Sequence, residues 1–171
     1  ELAQELMLSA KDRAENIMIV DLLRNDLSKV CKPHSVKTPQ ICTLESYANV
    51  HHLVSTVTGE LLDGKSAVDL LAACFPGGSI TGAPKIRAME IITELEGSTR
   101  GAYCGAIGFI GFNGSMDTNI AIRSICVNGG RMAFNVGGGI VADSIPAAEY
   151  DETLVKAAKI FEALGIRPYA V

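Results

Sequence analysis

The sequence contains no tryptophan, and aromatic residues make up only 5% of its 171 positions. A core built from it relies on aliphatic side chains, which are plentiful, since 48% of the residues are hydrophobic. The five cysteines, Cys31, Cys42, Cys74, Cys104 and Cys126, are odd in number and include no CxxC pair. That disfavours a disulfide framework or a structural zinc site and fits a reducing compartment, the cytoplasm. No apolar run approaches the roughly 18 to 20 residues that a membrane span needs. There is no basic excess either: 15 Lys and Arg against 19 Asp and Glu give a net charge of −4. Nucleic acid and anionic membranes call for the opposite balance, so neither is an expected partner. No signal-peptide pattern and no initiator Met open the chain; Glu1 leads straight into helix-like sequence, so the numbering is expected to begin inside a longer protein.

What is present suits one folded domain. A chain of this length buries roughly two-thirds of its unfolded surface, and its composition excludes disorder over most of its length. Residues 1–26 favour helix, with Ala14, Ile17, Met18, Leu22 and Leu27 near helical spacing. Pro33 to Pro39 reads as a loop. A second helical stretch is expected near Tyr47 to Val57, ending at Gly59. Ser66 is placed to cap a third helix from Ala67 to Cys74. Lys85 to Leu95 is the clearest helix, with Ile86, Met89, Ile92 and Leu95 in one stripe and Pro84 in its first turn. Beyond Gly101 the period changes. Ala102 to Phe112, Asp117 to Val127 and Arg131 to Val136 read as three antiparallel strands, turning at Asn113-Gly114 and Asn128-Gly129-Gly130. A last helix is expected from Pro146 to Leu164, capped by Ser144 and stopped by Gly165. Helices followed by a meander argue for an α+β fold.

Five features carry possible chemistry. Gly77-Gly78-Ser79-Ile80-Thr81-Gly82-Ala83-Pro84-Lys85 is a glycine-rich loop feeding a helix, an arrangement that offers backbone N–H groups to an anion. A nucleotide phosphate loop is disfavoured, because Ala83-Pro84 stands where Lys and Ser or Thr are needed. Gly137-Gly138-Gly139 allows close approach of backbone to a ligand; a plain tight bend is the simpler alternative. Asp12 and Glu15 are spaced i, i+3 on the first helix, as are Glu149 and Glu152 on the last, with Lys156 one turn further. Paired carboxylates of this kind suit Mg²⁺, although solvated helix faces show the same spacing. His51-His52 offers a group that titrates near neutrality. Arg123, expected mid-strand among apolar residues, has the planar fork that matches a carboxylate if it is buried; Tyr103 poses the same choice between pocket and surface.

In combination these pieces are more specific. Residues 15–27 (ENIMIVDLLRNDL), His52-Leu53-Val54-Ser55, the Phe75 to Lys85 loop, Met116-Asp117-Thr118, Ile122-Arg123, Gly137 to Ser144 and Glu149-Tyr150-Asp151-Glu152-Thr153 follow one another in an order that resembles the chorismate-utilising enzymes. The resemblance spans nearly the whole chain. Within that family, Pro76 to Thr81 is more similar to the aminodeoxychorismate-forming branch than to the anthranilate-forming one.

The resemblance implies a C-terminal portion, residues 1–171, of a fold in which antiparallel sheets pack face to face between helices in an α/β/β/α arrangement. It implies that Glu15 and Glu152 bind Mg²⁺, with Asp12 and Glu149 in support, and that the metal holds the ring carboxylate of chorismate. Tyr103 and Arg123 would grip the enolpyruvyl carboxylate. Ser79 and the backbone of Gly137 and Gly139 would line the pocket, Lys156 would sit beside the carboxylate and metal, and His52 would lie near the departing C4 hydroxyl. The family's amination draws ammonia from a glutamine amidotransferase partner. In the aminodeoxychorismate branch it uses a lysine nucleophile in a Pro-Ile-Lys-Gly-Thr motif, expected ahead of Glu1. These residues alone are therefore expected to turn over little substrate. A sibling anthranilate-forming enzyme and a non-catalytic binding module that retains the fold are the alternatives.

Overall fold

The computed structural model describes residues 2–47, 50–142 and 144–166. The chain separates into two compact units, Glu1–Leu95 with Ile110–Met116, and Glu96–Phe109 with Asp117–Val171. Both are small assemblies of helices and antiparallel strand pairs, so the α+β expectation stands.

The first unit starts with α1 (Leu2–Leu8) and α2 (Ala10–Ser28) where one continuous helix was expected. The break is at Ser9, which takes an extended conformation and accepts a hydrogen bond from the Asp12 backbone N–H at 3.2 Å. A serine hydroxyl competes for backbone donors and so favours the start of a helix over its interior.

The helix expected from Tyr47 to Val57 is not formed. β1 (Lys37–Ser46) and β2 (His51–Thr58) pair antiparallel instead, with Ser46 opposite His51 and Lys37 opposite Thr58. Val54, Thr56, Val57 and Thr58 are β-branched and lose side-chain freedom in a helix, and α2 packs across both strands. Pro39 lies inside β1 rather than in a loop; it falls at one of two register shifts, where no ladder donor is required. The second shift falls between Gln40 and Thr43, and there Cys42 takes a left-handed φ of 50°.

α3 (Ala67–Cys74) begins at Ser66 as expected, with a reciprocal cap formed by Ser66 and Asp69. The glycine-rich loop contains one short helical turn, α4 (Gly78–Thr81), before α5 (Lys85–Glu96).

β3 (Ala106–Ile110), all but its last residue in the second unit, pairs with β4 (Met116–Ile120). β5 (Cys126–Asn128) pairs with β6 (Arg131–Ala133) through Gly129 and Gly130, both at positive φ. The three-stranded meander is not formed, because residues 122–125 leave the ladder after Ala121, which still exchanges backbone bonds with Cys104 and Gly105 at 2.9 and 2.8 Å. Ile122 N–H turns back to the Ile120 carbonyl at 2.9 Å, and the Ser124 hydroxyl donates to the Ile122 carbonyl at 3.0 Å. Such local bonds compete with sheet pairing. α6 (Pro146–Ala163) closes the unit. Its N-cap is Ile145, not Ser144, and Gly165 follows its C-cap at φ 65°. Ala157 and Ile160 of α6 are buried, and the rings of Phe134 and Phe161 meet edge to face at 5.4 Å.

The cap of α3 generates a pH test. Asp69 accepts from the Ser66 backbone N–H at 2.9 Å, the Ser66 hydroxyl at 2.8 Å and Lys65 Nζ at 3.2 Å. Hydrogen bonds from Ser66 first, then from Lys65, lower its pKa to about 2. A depressed folded-state pKa contributes stability above the ordinary carboxylate range and loses it as pH falls through the folded value. An NMR titration should place the Asp69 midpoint near that value, and Ser66→Ala should return it toward the ordinary range; an unshifted midpoint in the unmutated protein would contradict the cap.

Candidate active site

Six of the eleven residues singled out in the sequence lie in the second unit, besides Arg123, and α6 organises most of them. Glu149, Glu152 and Lys156 recur at i, i+3 and i+7, so one helix face presents all three. Glu149 is 7% exposed and Glu152 and Lys156 are half-buried. Glu149 sits in the first turn of α6, where the positive end of the helix favours a carboxylate. It accepts from the Ser144 hydroxyl at 2.5 Å, and the same Ser144 oxygen accepts from Val141 N–H at 3.0 Å. Ser144 was read as a helix cap; it instead ties the end of the glycine segment to the buried carboxylate.

That segment meets α6 directly. Lys156 Nζ donates to the Gly137 carbonyl at 3.3 Å and pairs with Glu152 at 2.6 Å. A Cβ at Gly138 would lie 3.3 Å from Glu149 Oε2 and 3.9 Å from Glu152 Oε1. A Cβ at Gly137 would lie 2.9 Å from the Tyr103 hydroxyl. Backbone, two carboxylates, an ammonium and a phenol thus converge on a strip that only glycine leaves open. Gly139 is exposed at the end of this strip. An adjoining cleft of about 360 Å³ is lined by Gly138, Val141, Ser144, Glu149 and Thr153, among others.

Tyr103 is half-buried in a turn. Burial first, and then the neighbouring Cys104 thiol, push its hydroxyl above the usual tyrosine range, so it stays protonated and able to donate at neutral pH. The Arg100 guanidinium lies 5.9 Å from the centre of its ring. Arg100 is itself held by a two-pronged pair to Glu96, at 2.9 and 2.6 Å. Sequence reasoning missed both residues; their only signal was an i, i+4 charge pair at a helix end.

Arg123 is a correction. It stands in a bend, exposed, at a left-handed φ of 51°, and not in the middle of a strand. The local bonds at Ile122 and Ser124 produce that bend, so strand alternation does not decide which way its side chain faces.

In the first unit, Glu15 is half-buried on α2, and Asp12 is exposed in that helix's first turn. His52 lies on β2, not on a helix, with its ring edge against Tyr47 at 5.9 Å. Asn16 joins the two elements. Its amide donates to the Leu53 carbonyl at 2.9 Å, and its carbonyl oxygen accepts from the Ser55 hydroxyl and the Cys42 thiol. This bond places Glu15 and His52 each one residue from the same junction. Ser79 is exposed on α4. A separate cleft of about 710 Å³ includes Arg24, Lys32 and His34. None of the expected site residues lines it, and Arg24 and Lys32 are already paired with Asp21, Glu60 and Asp63.

Among the described residues, no three His, Cys, Asp or Glu side chains stand together as a metal cluster. The carboxylates of α6 nevertheless suit a hard cation: two sets of oxygen donors flank a glycine cradle that a Cβ would fill. Mg²⁺ needs few protein oxygens and keeps the remainder of its shell for water or substrate.

A family model described as chorismate binding enzyme matches residues 1–162. Aminodeoxychorismate synthase component 1 of Salmonella typhimurium is 56% identical over 162 residues, which are 95% of this chain and 36% of that protein. Anthranilate synthase component 1 of Pseudomonas aeruginosa is 48% identical over 170 residues, 99% of this chain and 35% of that protein. The chain therefore spans about a third of the length of these relatives. Among solved structures, anthranilate synthase component I from Streptococcus pneumoniae superposes with a TM-score of 0.87 at 44% identity, covering 93% of this chain and 37% of that one.

The contact between Gly137 and Tyr103 can be tested by substitution. Gly137→Ala should destabilise the fold by about 1–3 kcal/mol through overpacking. Adding Tyr103→Phe, which deletes the obstructing oxygen, should recover part of that loss in thermal denaturation; equal destabilisation with and without the hydroxyl would contradict the contact.

Proposed function

The chain belongs to the chorismate-binding enzyme family, and within it we propose that it is part of an aminodeoxychorismate synthase component 1. The reaction is the conversion of chorismate and ammonia to 4-amino-4-deoxychorismate, a step of folate biosynthesis in the cytoplasm. A partner glutamine amidotransferase supplies the ammonia. The observation that carries this is the convergence of Glu149, Glu152, Lys156 and Tyr103 on the Gly137–Gly138 backbone, in a chain 56% identical to an enzyme of that name.

Chorismate is a small dianion, and the proposed roles follow from its charges. Tyr103 and Arg123 bind the enolpyruvyl carboxylate, the first as a neutral donor and the second as a guanidinium. On the family resemblance, Glu15 and Glu152 would hold Mg²⁺ with Asp12 and Glu149 in support, and Lys156 orients Glu152 and the Gly137 carbonyl. When bound, the metal supplies Lewis-acid neutralisation of the ring carboxylate. Ser79 and the backbone of Gly137 and Gly139 line the pocket. His52 stands near the C4 hydroxyl as it departs and is the group suited to move a proton there. Preorganised donors of this kind stabilise charge as it redistributes over the ring.

The 48% identity to an anthranilate synthase component 1 makes anthranilate the second reading. Product analysis separates the two. The protein at its natural full length, given chorismate, ammonia and Mg²⁺, should release 4-amino-4-deoxychorismate; anthranilate would assign it to the sibling reaction. Chelating the metal should abolish turnover. In calorimetric titrations Glu149→Gln should weaken Mg²⁺ by about 10–100-fold, the range for a residue supporting the ligands, and Glu152→Gln by at least as much. Absence of any Mg²⁺-dependent chorismate affinity would leave a binding module without this chemistry.

A further inference from the structure

The loop from Phe75 to Pro84 is tied at both ends by a single side chain. Lys85, the first residue of α5, reaches back to the carbonyl of Cys74, the last residue of α3, at 3.4 Å. The same ammonium is ion-paired with Asp26 of α2. Asp26 is 1% exposed and is the largest fully buried side chain among the described residues. Its other oxygen takes Lys29 at 2.8 Å. The loop also rests on α2 midway, since a Cβ at Gly78 would lie 2.7 Å from Leu22 Cδ1. Ser79 is carried on the α4 turn between these anchors.

A buried ion pair is weak evidence for stability, because desolvating two charges offsets much of their attraction. What such a pair supplies is a specific geometry, imposed here on a loop in which five of ten residues, Pro76, Gly77, Gly78, Gly82 and Pro84, are glycine or proline. We infer that Lys85 and Asp26 are positioning residues: they clamp the Phe75–Pro84 loop shut and hold Ser79 in its place toward the substrate. The part concerning substrate rests on the function proposed above; the clamp itself does not.

The experiment pairs Asp26→Leu with Lys85→Met in the full-length protein, because apolar replacement of both partners preserves packing where loss of one strands a buried charge. Lys85→Arg is the charge-keeping companion. The first readout is hydrogen exchange of the ligand-free protein. The double variant should exchange about tenfold faster over residues 75–84 while other segments are unchanged, and Lys85→Arg should fall between it and the unmutated protein. The second readout is steady-state kinetics, where the double variant should raise the KM for chorismate by about tenfold and leave kcat little affected. Unchanged loop exchange overturns the clamp. Faster loop exchange with an unchanged KM overturns its role in placing Ser79. Should the double variant fail to fold, Lys85→Arg decides by the same two readouts. Faster loop exchange in a protein that does not use chorismate upholds the clamp and removes only the proposed function.

Discussion

The acidic face of α6 packs close against the chain that follows β6 at Gly137 and Gly138, where a side chain would crowd Tyr103 and Glu149. Two carboxylates, one of them 7% exposed, and an ammonium are packed against bare backbone. Each charge is answered by a specific group: Ser144 for Glu149, Glu152 for Lys156, and the Gly137 carbonyl for the remaining ammonium reach. The apolar half of the same helix fixes the register. Ala157 and Ile160 are buried, and Phe161 meets Phe134 three residues ahead of the glycines. Packing at one end of α6 thus sets the electrostatics at the other.

The first unit solves a related problem with different means. α2 crosses a strand pair and carries polar side chains into the contact, so each must find a partner there. Asn16 bonds the backbone and side chains of β2 and the bulged Cys42 of β1, and Asp26 takes two lysines. These contacts leave little freedom in where Glu15, His52 and the glycine-rich loop sit.

Much of this was legible in the sequence. The helix from Ala67 follows from its Ser66 cap, and those from Lys85 and Pro146 from proline near their starts and apolar residues that recur every third or fourth position. The face of α6 bearing Glu149, Glu152 and Lys156 follows from that same period. Local rules failed where contacts between distant segments decide. Leu53, Val54 and Val57 are compatible with a helical stripe, and the β-branched run beside them needed α2 and β1 to turn it into a strand. The Asp117 to Val127 run alternates well enough for a single strand, yet the hydrogen bonds of Ile122 and Ser124 divert it and leave Arg123 in a bend. Arg100 showed only an i, i+4 pairing with Glu96 and Ser144 only a capping position, because their other partners, the Tyr103 ring and the Glu149 carboxylate, are brought to them by folding.

On the function proposed above, α6 and its glycine strip are where a divalent cation and an anionic substrate would meet. The most direct measurement is a crystal structure of the full-length protein with Mn²⁺ and chorismate, with the metal located by its anomalous scattering. The account predicts a metal peak bonded to Glu152, beside Glu149 and the Gly137–Gly139 backbone, with a chorismate carboxylate on its open side. A metal peak remote from α6, or chorismate bound with both α6 carboxylates still turned away from it, would contradict the account.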